Sequence, residues 1–262
     1  MKGKKADWSL EDYLGRKAGL IIAGCDEVGR GAFAFSMVVA GCAYAPGVEM
    51  PFEIRDSKAL TAVERELLVD VLTVEFVNKG LLHVAYAEAS AVEVESSNLN
   101  ELNLRLFKEA LQKLPHFDRV ILDGSIADKS FPFPGLCAPK ADTRSITVAT
   151  ASIFAKVRRD RQMQELHKQY PHYGFNEHVG YGTKVHVEAI RKFGPIPGVH
   201  RRNFLRNLTW HSKRFARVET PNADACAMWP RWPLSRQMSG PLIHCAFFPV
   251  WFSFCHGRPE VN

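Results

Sequence analysis

The apolar positions of this chain fall into short runs that stop on acids and glycines. Residues 20–25 are mostly apolar and run directly into Asp26 and Glu27, with Gly29-Arg30-Gly31 just beyond. A short apolar run bounded by turn residues reads as a buried strand. Residues 37–44, rich in Val and Ala and closed by Pro46-Gly47, read as a second strand near enough for an antiparallel pair. Thr61 and Glu64 make a Thr-x-x-Glu capping box, which predicts a helix with Leu67, Val71 and Val74 as its apolar stripe. Residues 81–89 read as a strand. The clearest helix spans 98–114, where Leu99, Leu102, Leu106, Ala110 and Leu114 recur at helical spacing before Pro115. Residues 120–122 form another buried strand that again ends on an acid and a glycine, Asp123-Gly124.

Prolines mark 130–139 as a loop. After Lys140-Ala141-Asp142 a helix turns Ile146, Ala149, Ile153 and Val157 inward. Residues 170–182 are an aromatic, glycine-rich loop, and Thr183 is placed to cap a helix that ends near Phe193. Residues 7–17 read as a short polar helix. The composition changes near residue 211: the remaining stretch holds three of the five Trp and three of the six Cys, with no periodicity and repeated prolines. The organisation expected is an N-terminal segment (1–17), a main domain (18–210) and an extension (211–262).

Composition changes the picture modestly. A net charge of +6 fits an anionic partner such as nucleic acid. The cysteines show no CxxC pair and no zinc spacing, so reduced thiols are expected. Without a signal-type or membrane-spanning run, a cytoplasmic protein without a membrane partner is expected.

Two strands that each end in an acid bring Asp26 and Asp123 together if they lie side by side. Glu27, and Asp142 just ahead of a helix, complete a set of four carboxylates. Oxygen ligands without His or Cys suit Mg²⁺ or Mn²⁺. Next to a Gly-Arg-Gly turn in a basic chain, such a set suggests two-metal phosphodiester hydrolysis. Other polar residues have plainer readings. Asp160, four residues after Lys156 on a helix, reads as its ion-pair partner. His172, His178, His186 and His200 match no ligand spacing and read as surface or core residues. Arg201-Arg202 reads as solvated surface, with a DNA contact as the other reading. Cys25 reads as a small core residue whose neighbouring acids raise its pKa.

Seven segments in order, CDEVGRG (25–31), RDSKAL (55–60), LDG (122–124), KADTRSITVATASIFAKVRRD (140–160), YPHYGF (170–175), HVGYGTKVH (178–186) and GPIPGVHRRNF (194–204), resemble those of ribonuclease HII, the type 2 ribonuclease H. The resemblance spans about residues 18–210. It implies a ribonuclease H-like α/β fold, a mixed five-stranded sheet flanked by helices, to which the extension is added. It implies an endonuclease, a hydrolase of replication and repair, that cuts 5′ to a ribonucleotide in RNA/DNA hybrids or in duplex DNA. Carried onto this chain, it assigns catalysis and Mn²⁺ or Mg²⁺ binding to Asp26, Glu27, Asp123 and Asp142. Gly29, Arg30 and Gly31 match the turn that senses the 2′-hydroxyl, the group that marks RNA. Tyr181 matches the tyrosine that stacks on the sugar at the RNA-to-DNA junction, and Lys58 and Lys156 face phosphates. A monomer is expected, with a replication-clamp contact through the extension as a weak candidate, since Gln237 begins a poor match to a clamp motif. The chain departs from the family after the Gly-Arg-Gly turn, where Ala32 to Met37 replace a Pro and a Gly-Pro, and at Val179, usually a lysine. Phe33 and Phe35 are therefore expected to alter the packing of the second strand. Loss of activity through those changes is the alternative reading, leaving a binder of hybrid or duplex nucleic acid. The four acids favour an enzyme, because a binder gains little from negative charges beside phosphates.

Overall fold

A computed structural model describes residues 5–55, 57–124 and 131–208. Asp56 of the RDSKAL segment and the whole extension at 211–262, with its candidate clamp contact, lie outside the described residues. Apart from 50–53, the described residues belong to one compact unit.

The sheet contains β1 (Ile22–Val28), β2 (Met37–Tyr44), β3 (Leu82–Ala89), β4 (Arg119–Asp123) and β5 (Gly135–Ala138), in the order β3-β2-β1-β4-β5. β1 pairs antiparallel with β2 and parallel with β4, so the sheet is mixed and has five strands, as the resemblance implies. β2 is buried at every position, as expected for a strand covered on both faces. The flanking helices are α1 (Ser9–Tyr13), α2 (Ala62–Leu72), α3 (Ala91–Ser96), α4 (Leu99–Gln112), α5 (Ile146–Gln169), α6 (Phe175–His178) and α7 (Lys184–Phe193).

Local chemistry sets most of these boundaries. Thr61 and Glu64 form the expected capping box on α2. Asn98 caps α4, whose Leu102, Leu106 and Ala110 enter the core with strand residues Ala23, Val39 and Leu122. Ser145 caps α5, and Thr183 caps α7. α5 lies close on β1 because Gly24 has no side chain: a Cβ there would fall 2.5 Å from Val148 N. The N-terminal residues also take part. Leu10 and Leu14 pack with Ile22 and Val148, while Glu11 is buried and accepts hydrogen bonds from Ser145 Oγ, Thr147 N and Thr147 Oγ1 at the start of α5. Burial raises the Glu11 pKa and those hydrogen bonds hold it back.

Four sequence expectations are corrected. The stripe proposed for α2 points outward, with Leu67 and Val74 exposed, and Leu68, Val69 and Leu72 buried instead. The loop expected at 130–139 contains β5, an edge strand flanked by prolines, where missing N–H donors cost little. The N-terminal helix is shorter than expected and is not polar all round, since Leu10 and Glu11 are buried. Phe33 and Phe35 leave β2 intact and pack instead with Tyr173, Phe175 and Ile190 in a separate cluster beneath the C-terminal helices.

Candidate metal and nucleic-acid site

The site is built where β1 and β4 run side by side. Cys25 pairs with Leu122, so the next residues, Asp26 and Asp123, are neighbours across the parallel pair. The two acids of β1 lie inside the strand rather than after it, and successive side chains point to opposite faces. Asp26 turns toward α5, where Ser152 donates to it, and Ser57 Oγ in turn bonds Ser152 Oγ at 2.9 Å. This joins the RDSKAL segment to the acids. Glu27 turns toward Asn103 of α4, whose amide lowers its pKa without making a hydrogen bond of good geometry. Asp123 Oδ1 accepts from Ala141 N at 2.7 Å, which ties β4 to the turn carrying Asp142. Asp142 is buried, with Lys58 Nζ 3.7 Å from its Oδ2.

The ionised forms of Asp26 and Glu27 are disfavoured in this group. Burial raises the Asp26 pKa well above the ordinary carboxylate range, and Glu27 and Asp123 add to the rise. Burial and Asp123 raise Glu27 as well, with Asn103 and Arg30 opposing. Arg30 stands 4.0 Å from Glu27, and Glu27 Oε2 is buried without a hydrogen-bond partner. Among the described residues no three acids close into a preformed metal cage. The donor set still fits a hard divalent cation: all ligands are oxygens, their charges repel, and a buried carboxylate oxygen lacks a partner.

The Gly-Arg-Gly turn lies just beyond β1, and its two glycines have different roles. Gly29 has φ +86°, and a Cβ there would fall 2.3 Å from Arg159 Nε and 2.8 Å from Ser36 O. Gly31 faces open space, with nothing within 4 Å of such a Cβ. Gly29 therefore serves the fold, and Gly31 leaves room over the backbone. Gly29→Ala is expected to lower stability by about 2 kcal/mol or more. Gly31→Ala is expected to melt like the parent and to lose cleavage, so thermal melts and assays on the same preparations separate the two. A fully active Gly31→Ala protein would show that nothing approaches that backbone.

Two arginines that the sequence reading did not assign to the site hold this turn from below. Arg201, expected at the surface, is completely buried. Its guanidinium donates to the carbonyls of Gly29, Arg30, Ala32 and Phe35 at 2.7–3.1 Å. Arg159 of α5, equally buried, donates to Ser36, Val179 and Ala34 carbonyls. Burial and the neighbouring Arg159 push the Arg201 pKa down to about 9. Phe33 N donates to Gly180 O, which fastens the turn to the loop bearing Tyr181. The Tyr181 ring is partly exposed, with the Arg159 guanidinium 5.6 Å from its centroid. Bulky residues occupy strained backbone here: Phe35 has φ 69° and Val179 φ 42°. The strain is held by Arg201 on the Phe35 carbonyl and Arg159 on the Val179 carbonyl.

The remaining candidates are less central. Lys156 is half-buried and bonded to Asp160 at 2.6 Å, and Asp160 also meets Arg65, so that lysine is engaged within the protein as the plainer reading had it. Cys25 is buried, and burial followed by the Asp26 charge raises its pKa, as expected for an inert core thiol.

The profile of the ribonuclease HII family matches residues 23–212. The chain is 44% identical over 199 residues to a ribonuclease HII of Thermus thermophilus, covering 76% of this chain and 93% of that one. Among solved structures, the ribonuclease H2 of Pyrococcus horikoshii superposes with a TM-score of 0.58 at 24% identity, over 72% of this chain and 97% of its own. The ribonuclease HII in a PCNA complex from Archaeoglobus fulgidus gives 0.59 at 22% identity, over 73% and 98%. These two likenesses establish the ribonuclease H-like fold.

Proposed function

Since the chain belongs to the ribonuclease HII family, whose members are ribonuclease H hydrolases, we propose that it cuts the phosphodiester 5′ to a ribonucleotide in RNA/DNA hybrids and in duplex DNA. The observation that carries this reading is the placement of a mutually repelling carboxylate pair, the buried Asp26 and the half-buried Asp123, one short turn away from the open backbone at Gly31. Asp26, Glu27, Asp123 and Asp142 hold divalent cations, Mn²⁺ or Mg²⁺. Bound there, such ions supply neutralisation of phosphoryl charge and acidification of water.

The chain's own residues select and orient the strand. The backbone around Gly31 is bare, so a 2′-hydroxyl can reach a peptide group that any side chain would screen. Lys58, with its side chain largely exposed beside Asp142, supplies positive charge for a phosphate. The partly exposed ring of Tyr181 stacks on the following sugar, where a deoxyribose fits and a second 2′-hydroxyl is crowded. Because Phe33 N bonds Gly180 O, the distance between turn and ring is fixed by the protein rather than by the substrate. A sliding-clamp partner belongs to the same reading, by analogy with the PCNA complex of the Archaeoglobus neighbour.

The test is Tyr181→Ala on two substrates under one salt condition: a single ribonucleotide in duplex DNA and a long RNA/DNA hybrid. The variant is expected to lose about tenfold or more on the embedded ribonucleotide, the scale of one stacking contact, and much less on the hybrid. Equal slowing of both would place junction sensing elsewhere.

A further inference from the structure

Beneath the Tyr181 loop lie three buried histidines that the mechanism above does not use. His178 and His186 stack with ring centroids 4.1 Å apart, and His186 Nε2 is 3.1 Å from His200 Nε2. The hydrogen-bond directions follow from two backbone amides. Ile196 N donates to His200 Nδ1 at 2.8 Å, so a neutral His200 carries its proton on Nε2. That proton faces His186 Nε2, which must accept it, so His186 carries its own proton on Nδ1. His186 Nδ1 is 2.9 Å from the carbonyl oxygen of Tyr181 and donates to it. Separately, Gly180 N donates to His178 Nδ1, which leaves His178 Nε2–H for the Tyr173 carbonyl 2.7 Å away. Every proton in the cluster is thereby assigned, and one chain of donors runs from Ile196 N through His200 and His186 to Tyr181 O.

We infer that His186 and His200 are positioning residues that set the junction-sensing tyrosine, acting as a one-way hydrogen-bond relay onto its backbone carbonyl. The need for such a relay is visible in the loop itself. Val179 and Gly180 both have positive φ, so the peptide leading into Tyr181 is held away from ordinary extended or helical backbone. Tyr181 O accepts from both Thr183 N and His186 Nδ1. Phe33 fills the space over Gly182, where a Cβ would fall 2.4 Å from the ring, and it also lies near His186. The ring of Tyr181 is partly exposed, so its aim is set from the backbone side. Burial keeps His200 and His186 neutral, with pKa values lowered to about 3 and about 4, as a relay of single protons requires.

This inference rests on the proposed role of Tyr181, and the experiment separates the two. For each variant the ratio of cleavage rates on an embedded ribonucleotide and on a long hybrid is measured with one protein stock, so the folded fraction cancels. His186→Leu removes the donor to Tyr181 O and is expected to lower the ratio about fivefold, the scale of one hydrogen bond. His186→Asn, whose amide N–H sits near the Nδ1 position, is expected to keep most of the ratio. His200→Leu leaves His186 Nε2 without the donor that fixes its ring and is expected to lower the ratio, while His200→Gln restores a donor and keeps it. In a Tyr181→Ala background His186→Leu is expected to change the ratio no further. If Tyr181→Ala lowers the ratio and His186→Leu leaves it at the parental value, the relay is wrong and the tyrosine assignment stands. If Tyr181→Ala leaves the ratio unchanged, both are overturned.

Discussion

Asp123→Asn is expected to abolish cleavage, by about 10³-fold or more, while leaving the fold untouched. The structural reason for the second half is specific. Asp123 makes its one described protein hydrogen bond as an acceptor, from Ala141 N to Oδ1, and an asparagine Oδ1 accepts that bond equally well. What the substitution removes is a negative charge beside Asp26 and Glu27, both of which have raised pKa values partly because of it. The apo protein is therefore expected to be as stable as the parent or slightly more so, since repulsion on the buried Asp26 carboxylate is relieved. A loss of about 10³-fold corresponds to about 4 kcal/mol of transition-state stabilisation, reasonable for a divalent-cation ligand. Parallel thermal melts and single-turnover assays check it, and a stable, active Asp123→Asn protein would remove the carboxylates from the mechanism.

Arg201→Leu is the second large effect, and its primary readout is stability. The guanidinium reaches four backbone carbonyls, those of Gly29, Arg30, Ala32 and Phe35, and supplements the one backbone bond that closes the turn, from Ala32 N to Gly29 O at 3.3 Å. Leucine leaves them buried without that donor, at a cost of about 1–3 kcal/mol for each carbonyl that water does not reach. A loss of about 4 kcal/mol in unfolding free energy is expected, together with poor cleavage by the protein that remains folded. Arg201→Lys keeps a charge but replaces a planar fork by a single ammonium, which cannot span the four oxygens, so most of the loss is expected there too. Urea titrations of both variants decide this, and an unchanged midpoint would show that the turn is self-supporting.

The sequence was most informative where one residue fixes one local event. The expected caps Thr61 and Thr183 start helices in the structure, and the repeated strand-then-acid pattern brought Asp26 beside Asp123 through the parallel pairing of β1 with β4. The capping box of Ser90 and Glu93 was equally readable and marks α3, which the reading passed over. Other features depend on tertiary context. The segment from 62 to 77 offers two overlapping apolar stripes, and the π turn at Thr73–Val77 helps decide which faces the core. β5 is four residues between prolines, too short to carry a period. The buried roles of Arg159 and Arg201 are not legible in the sequence for a physical reason: their partners are backbone carbonyls, which every residue has, so no complementary acid announces them. The histidine relay is hidden in the same way, since only its geometry gives the rings direction.

The most direct test of the account is one reaction. The full chain is incubated with a DNA duplex holding a single ribonucleotide, with Mn²⁺, with Mg²⁺ and with chelator, and the product ends are mapped at single-nucleotide resolution. The expected result is a single cut at the phosphodiester on the 5′ side of the ribonucleotide, dependent on added divalent cation and absent for Asp123→Asn. Cleavage on the 3′ side, cleavage of an all-DNA duplex at a comparable rate, or full activity in chelator would contradict it.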